Sequence, residues 1–240
     1  MKPAPRTALR GPGLGLGLGL AMAALLGACS SAPPVPDWQL DAHAASTRAL
    51  SAALDGKERV AALEFARARE QLSRTADPAR VARLELLRCA VATASLAQGP
   101  CPGFEALRAD ATDADRAYAD WLLGRINAQA MPLLPAAQQA AAALVIGGGA
   151  GEAGRAAATV AAIEDPLSRL VAASVLLQAG QGDAALIDVA IDTASAQGWR
   201  RALAAWLQAG VRVAGLRGDE ARASQLRRRL DLLRPAPDGR

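Results

Sequence analysis

The sequence is poor in aromatic residues and has a single histidine. Its 240 residues include four tryptophans, two phenylalanines and one tyrosine. So small an aromatic content argues against a platform for stacking sugars, and we expect the tryptophans to be core anchors. They are Trp38, Trp121, Trp199 and Trp206. The histidine, His43, lies among alanines without a cysteine partner, so we expect a surface or partly packed residue and no catalytic base.

Motifs of catalysis and metal binding are also missing from the sequence. No segment resembles a G-x-S-x-G elbow or an H-E-x-x-H helix, and sequence alone does not pair the carboxylates across helices. Cys89 and Cys101 by themselves do not make a zinc site, because zinc usually takes four ligands and no histidine lies nearby. The sequence therefore predicts no enzyme, no cofactor and no metal.

The first 28 residues have the charge pattern of an export signal. Met1–Arg10 holds three cations and no acid, and an uncharged stretch follows from Leu14 to Leu26. This stretch is too short and too rich in glycine for a good transmembrane helix, which needs about 20 strongly apolar residues. It ends in Leu26-Gly27-Ala28-Cys29, which resembles the lipobox of bacterial lipoproteins. The alternative is an ordinary secretory signal cleaved near Ala28.

The lipobox resemblance implies a signal peptide at 1–28, cleavage before Cys29, and lipid on the sulfur and amine of Cys29. Within that family, Ser30 after the cysteine implies transfer to the outer membrane. Segment 29–36 is rich in serine and proline, and its prolines favour an extended, semi-rigid tether. Several acyl chains anchor a protein stably. We therefore expect a protein held by membrane lipid at the outer membrane and facing the periplasm.

Removal of this signal changes the charge balance. The whole chain has a net charge of +4, and residues 1–28 supply three cations and no acid, so the mature part carries only +1. A local excess remains at Arg222, Arg227–Arg229 and Arg234, but acidic residues lie among these arginines. This mixture favours a solvated helix face over a phosphate or headgroup patch, and we expect no nucleic-acid partner.

Two cysteines remain once Cys29 carries lipid. Cys89 and Cys101 are an even pair in an oxidising compartment, so a disulfide is expected. The bridge requires the helix that holds Cys89 to end near residues 95–96. A helix continued to Gln98 would end about 13 Å further along its axis. Three residues could hardly return Cys101 from there to the ~5.5 Å Cα separation of a disulfide.

Helix signals recur along the rest of the chain. Abundant alanine, sparse β-branched residues and the lack of sustained alternation predict an all-α fold. We expect helices at about 38–54, 57–73, 78–95, 104–109, 114–125, 136–146, 152–163, 166–179, 183–196, 199–216 and 219–233.

Local patterns support several of these helices. Asp77-Pro78 and Asp165-Pro166 each combine an N-cap with proline at the first helical position. Thr112 with Asp115 resembles a capping box. In the second helix, one apolar stripe is predicted to be buried, and Glu64 is predicted to lie away from it. The stripe consists of Ala61, Phe65, Ala68 and Leu72.

Short connections between helices predict antiparallel hairpins, and a run of hairpins forms an α-solenoid. Gly182-Asp183 and Gly218-Asp219 each open a helix, 36 residues apart. The second pair, with Ala223 five positions after the glycine and Pro235 seventeen after it, resembles the tetratricopeptide repeat. After Gly182, the position expected to be small holds Ile187. The resemblance implies a degenerate tetratricopeptide-like array, and an irregular helical bundle is the alternative.

Glycine is concentrated at 147–154 within the mature part. Gly149, Gly151 and Gly154 form the G-x-G-x-x-G spacing of dinucleotide sites. The segment before them is an Ala/Gln helix and no parallel-sheet pattern surrounds them, so we expect a hinge. It would separate an N-terminal helical layer at 37–146 from a C-terminal tetratricopeptide-like layer at 155–235. A disordered tail is expected at 236–240.

These features predict a non-catalytic, lipid-anchored envelope lipoprotein that serves as a protein interaction or assembly scaffold. The alternative is a membrane-tethered cell-wall enzyme or glycan-binding accessory. The scaffold predicts buried tryptophans and an exposed apolar groove. The alternative predicts a cleft with paired carboxylates or exposed tryptophans, so Trp199 and Trp206 distinguish the two.

Overall fold

The computed structural model describes residues 34–148 and 154–234. This part of the chain contains eleven α-helices and two 3₁₀ segments and no β-strand, which confirms the all-α prediction. The lipobox with Cys29, residues 149–153 and residues 235–240 lie outside the described residues. The hinge predicted at 147–154 therefore stays a prediction. No helix in the described ranges has the length and apolar character that crossing a membrane requires.

The eleven helices follow the predicted order along the chain. They are α1 (Asp37–Leu54), α2 (Glu58–Ser73), α3 (Pro78–Ala94), α4 (Pro102–Glu105), α5 (Asp113–Leu122), α6 (Ala136–Gly147), α7 (Arg155–Ala161), α8 (Pro166–Gln178), α9 (Ala184–Ala196), α10 (Arg200–Leu216) and α11 (Glu220–Asp231). The 3₁₀ segments are Arg108–Asp110 and Met131–Leu133.

The starts of α3, α5 and α8 are confirmed, because the capping side chains predicted for them form the expected hydrogen bonds. Asp77 accepts a hydrogen bond from the backbone N–H of Ala79 at 3.0 Å, and Asp165 accepts one from Ser168 at 2.7 Å. At α5, the backbone N–H of Asp115 donates to the Thr112 hydroxyl at 3.1 Å, and the Thr112 N–H donates to the Asp115 carboxylate at 3.2 Å. Each cap satisfies amide groups that the first helical turn leaves without partners.

Three helices have a bound that differs from the prediction by three residues or more, each for a local reason. α4 begins at Pro102 and ends at Glu105, because proline occupies the first helical position and the chain continues as a 3₁₀ turn. α5 ends at Leu122, since Gly124 has a φ of +68° and closes the helix. α7 begins only at Arg155, because Gly154 before it has a left-handed φ of +83°.

The disulfide between Cys89 and Cys101 is present, with a Cα–Cα distance of 6.0 Å. As the bridge requires, α3 ends at Ala94, and Leu96 has a left-handed φ of +57° that turns the chain back. The reversed segment is held against α8, because the side-chain amide of Gln98 donates to the Ser174 hydroxyl at 2.7 Å.

One hydrophobic core extends from Leu54 in α1 to Leu226 in α11, and helices on both sides of the glycine-rich segment contribute to it. Its central element is α8, where every residue from 170 to 176 is buried. The helix is enclosed by α3, α6, α7 and α9. A smaller apolar cluster joins α1, α2 and α3 around Phe65.

Two of the four tryptophans are core anchors, as predicted. Trp121 is fully buried and its indole N–H donates to the Gln138 amide oxygen at 2.9 Å. Trp206 is fully buried and donates to the carbonyl of Ala94 at 3.0 Å. Trp38 and Trp199 are only half-buried. Buried indoles need such hydrogen-bond partners, so these contacts fix how α3, α5, α6 and α10 pack.

The apolar stripe of α2 is buried as predicted at Ala61, Phe65 and Ala68. Glu64, predicted to lie away from this stripe, is nevertheless buried, with only 6% of the residue exposed. Arg48 of α1 donates to its carboxylate at 2.9 Å and Arg67 donates at 2.7 Å. These charged hydrogen bonds offset the desolvation of the carboxylate.

The two Gly-Asp turns differ in geometry. Both aspartates cap a helix: Asp183 accepts from the N–H of Leu186 at 2.8 Å and Asp219 accepts from that of Arg222 at 2.9 Å. Only Gly218 has a positive φ, of +72°. Gly182 is instead pressed against α8, where an added Cβ would lie 2.4 Å from a Leu177 methyl. The two similar sequences therefore each start a helix, but the turns that precede these helices differ in backbone conformation.

Candidate binding groove between α2 and α3

An open groove lies between α2 and α3, and we call it the α2–α3 groove. Each wall consists of residues three or four positions apart, which lie on one face of a helix. On α2 they run from residue 58 to residue 69, so the groove is about 17 Å long. The α2 wall consists of Glu58, Ala61, Ala62, Phe65, Ala66 and Arg69, and the α3 wall consists of Leu84, Glu85, Arg88, Val91, Ala92 and Ser95.

Small side chains on both helices keep this groove open. It contains two cavities in series, of about 350 and 170 Å³, which share Ala62, Phe65 and Arg88. The larger cavity also touches Ala53 of α1 and Arg201 of α10. Because alanine methyl groups do not fill the space between the helices, the larger cavity reaches the range of about 300–1,000 Å³ that ligand sites occupy.

Charged side chains lie at the rim of the groove. Arg201 pairs with Glu58 at 3.2 Å beside the larger cavity, and Arg69 pairs with Glu85 beside the smaller one. Arg88 lies between these pairs and forms no ion pair with any residue in the described ranges. Its guanidinium carbon is 5.8 Å from the centroid of the Phe65 ring, which gives a cation–π contact.

The net charge of the groove walls is +1, from three arginines and two glutamates. The Glu58–Arg201 pair is exposed, with 76% and 40% of the two side chains accessible. Exposed pairs of this kind contribute only about 0–1 kcal/mol. An incoming anion can therefore compete with Glu58 for Arg201 at little cost, and it meets Arg88 without displacing any described carboxylate.

The inner wall of the larger cavity includes Ser95, the residue that caps the C-terminus of α3. Ser95 is 7% exposed, and its hydroxyl oxygen is buried without a hydrogen-bond partner among the described residues. Buried hydroxyl groups nearly always have a partner. In the part of the chain that the structure describes, no other buried side-chain nitrogen or oxygen lacks a hydrogen-bond partner.

The smaller cavity is held in shape by the segment that the disulfide closes. Gly103 lies against the Glu85 side chain, and an added Cβ would be 2.3 Å from a Glu85 carboxylate oxygen. Cys101 lies two residues before this glycine and is bridged to Cys89 of α3. The disulfide thus helps to place Glu85, and through the ion pair also Arg69.

A separate cavity of about 390 Å³ lies outside the groove, beside α3, α5 and the turn at 133–135. Its charged residues are already paired, since Arg83 contacts Asp115 at 3.2 Å. Burial raises the pKa of the Tyr118 phenol, and the negative charge of Asp165 adds to this effect. Tyr118 is therefore protonated at neutral pH. With its charges paired, this cavity is less suited to an ionic ligand than the α2–α3 groove.

The structure places the other residues that the sequence singled out. His43 is exposed on α1. Two arginines of α11 form ion pairs: the half-buried Arg222 contacts Asp188 of α9, and the exposed Arg227 contacts Glu220. Among residues 34–148 and 154–234, no group of three or more His, Cys, Asp or Glu side chains could hold a metal ion.

The scaffold hypothesis predicts an exposed apolar groove, but sequence reasoning did not identify its position or its residues. One signal was present, since Ala62 and Ala66 continue the groove face of α2 where a packed helix would carry larger side chains. No local pattern brings Arg201 to Arg88, because the two residues belong to helices far apart in the chain. Their position at one cavity therefore follows only from the packing of the helices.

No protein family model, curated protein or solved structure matches this chain. The functional proposal therefore rests on the sequence of the first 36 residues and on the geometry of the α2–α3 groove.

Proposed function

We propose that this protein is exported, is anchored in the outer membrane by acylation of Cys29, and binds a partner protein of the cell envelope without catalysis. The order of basic n-region, apolar stretch and Leu26-Gly27-Ala28-Cys29 supports the anchor. The observation that carries the binding role is the α2–α3 groove, an open channel with both apolar and charged wall residues and with an arginine that forms no ion pair in the described ranges.

Grooves of this kind suit recognition of a protein segment. Helical arrays bind extended or helical segments in the channels between their helices. Aromatic and arginine side chains dominate the energetics of many protein interfaces, and the groove presents Phe65 and Arg88 together at its centre. We further propose a degenerate tetratricopeptide-like array, with α10 and α11 as the unit closest to that repeat.

The position of the tryptophans favours this proposal over a glycan-binding accessory. That alternative predicts a cleft with paired carboxylates or exposed tryptophans, and Trp199 and Trp206 exposed beside clustered Asp or Glu would favour it. Trp206 is fully buried with its N–H bonded to Ala94, and Trp199 is half-buried. Neither is therefore an open platform for stacking a sugar ring.

Metabolic labelling with palmitate in the native bacterium tests the anchor. We expect the mature protein to carry the label and to fractionate with the outer membrane. The Cys29→Ala variant should lose both properties, while Cys89→Ala together with Cys101→Ala should keep them. An unlabelled wild-type protein that is released as a soluble species would contradict the anchor and favour an ordinary secretory signal.

Crosslinking in the intact envelope tests the binding role. We expect recovery of the same envelope protein in repeated experiments, with crosslinked residues that map to the helical domain. Recovery of a specific glycan without any protein partner would overturn the scaffold proposal in favour of the glycan-binding alternative.

A further inference from the structure

We propose that the α2–α3 groove receives a segment of the partner protein in which a carboxylate side chain lies next to an apolar one. Arg88 binds the carboxylate, and the larger cavity holds the apolar side chain. This inference rests on the proposed function, because it specifies the chemistry of the partner at the same groove.

Charge complementarity selects a carboxylate. Arg88 has no carboxylate partner in the described ranges, and the groove walls have a net charge of +1. One monoanion neutralises this charge, whereas a phosphate dianion would exceed it and would be repelled by Glu58 and Glu85. The planar guanidinium also matches a carboxylate in two-point hydrogen bonding.

The arginine is held in a position to bind. Its contact with the Phe65 ring limits the conformations of a side chain that is otherwise exposed. Restricting a long side chain before binding lowers the entropy lost when the complex forms. Arg201 lines the same cavity from α10, so a bound carboxylate can also attract this second guanidinium away from Glu58.

The apolar part of the segment has a defined place beside the charge. The deep wall of the larger cavity is formed by buried Ala61, Phe65 and Val91. A volume of about 350 Å³ accommodates a large aliphatic or aromatic side chain. An anchor of this type in a pocket, rimmed by a charged contact, is the usual arrangement of an interface hot spot.

Photocrosslinking in living cells tests the inference with the full-length lipoprotein. A photoreactive amino acid replaces Ala66, which lines only the smaller cavity, and in a control it replaces Leu63, which is 52% exposed on another face of α2. We expect an adduct from position 66 and none from position 63. Mass spectrometry of the crosslinked peptide should place Asp or Glu next to an apolar residue in the partner.

Charge reversal then tests the role of Arg88. Arg88→Glu should lower the adduct yield about tenfold or more, because it sets like charges against each other. Arg59→Glu is the matched control, since Arg59 is exposed on α2 outside the groove walls, and it should leave the yield unchanged. Replacing the partner carboxylate by arginine should restore the yield with Arg88→Glu. Arg88→Gln, which introduces no new charge, should give an intermediate loss.

The outcomes separate this inference from the proposed function. Three outcomes would overturn the inference of an acidic–apolar segment and leave a protein-binding role in place. The protein adduct could persist with Arg88→Glu, its partner peptide could contain no carboxylate, or the adduct could form only at position 63. Capture of lipid or glycan without any protein, from these positions and from exposed Leu216 alike, would overturn the proposed function itself.

Discussion

Removal of the disulfide should destabilise the helical domain by about 3 kcal/mol. Cys89 and Cys101 are separated by 12 positions in the chain. The loop-closure relation gives an entropy restriction of about 9.5 cal/mol/K for a loop of this length, which is about 3 kcal/mol at 25 °C. The expected loss for Cys89→Ala with Cys101→Ala is therefore a substantial part of the 5–15 kcal/mol that a domain typically has.

Urea unfolding of the oxidised protein and of the double variant measures this loss. A reductant should lower the free energy of unfolding of the wild type by a similar amount and should leave the double variant unchanged. Hydrogen exchange should show the largest increase around Gly103, because the disulfide positions this segment against Glu85. A loss below about 1 kcal/mol, or free thiols at both cysteines in the non-reduced wild type, would refute the reasoning.

Three further substitutions test the buried polar contacts by chemical unfolding. Trp206→Phe should cost about 1–3 kcal/mol, since the Ala94 carbonyl loses its indole donor; an unchanged stability would show that this contact is not made in solution. Gln138→Leu should cost about 2–4 kcal/mol, because it leaves two groups unpaired, the buried N–H of Trp121 and the carbonyl of Ser168, and a smaller loss than for Trp206→Phe would contradict that account. Ser95→Ala should be neutral or stabilise by about 1 kcal/mol, as its hydroxyl has no described partner, and a clear destabilisation would reveal one.

Local sequence signals were sufficient for most of the fold. Asp77, Thr112 and Asp165 cap helices as predicted, because an N-cap acts on amides only two or three residues away. The disulfide was also predicted from sequence, because the expected export implied an oxidising compartment and a bridge required the helix to end near residues 95–96. The structure has the helix end at Ala94 and a Cα–Cα distance of 6.0 Å.

Features that depend on packing between helices were not predicted in full. Glu64 was placed away from the apolar stripe of its own helix, and its burial under Arg48 of α1 was not predicted. The residues of the groove were not identified for the same reason, since Arg88 and Arg201 share a cavity only after α3 and α10 have packed. Neither the contact of Arg48 with Glu64 nor the cavity shared by Arg88 and Arg201 produces a periodic pattern within one helix, and such patterns are the signal that single-sequence reasoning uses.

Thiol labelling tests directly whether a partner occupies the α2–α3 groove. The measurement compares the labelling rate of a cysteine in the groove in the intact envelope with its rate in the purified protein. In an Ala62→Cys variant, the new thiol lies in the groove walls, and Leu63→Cys places the same group on another face of α2. We predict that position 62 reacts with a maleimide several-fold more slowly in the intact envelope than in the purified protein. Position 63 should react equally in both, and Arg88→Glu should abolish the protection at position 62. Equal labelling rates at position 62 in the envelope and in the purified protein would contradict a partner bound in the α2–α3 groove.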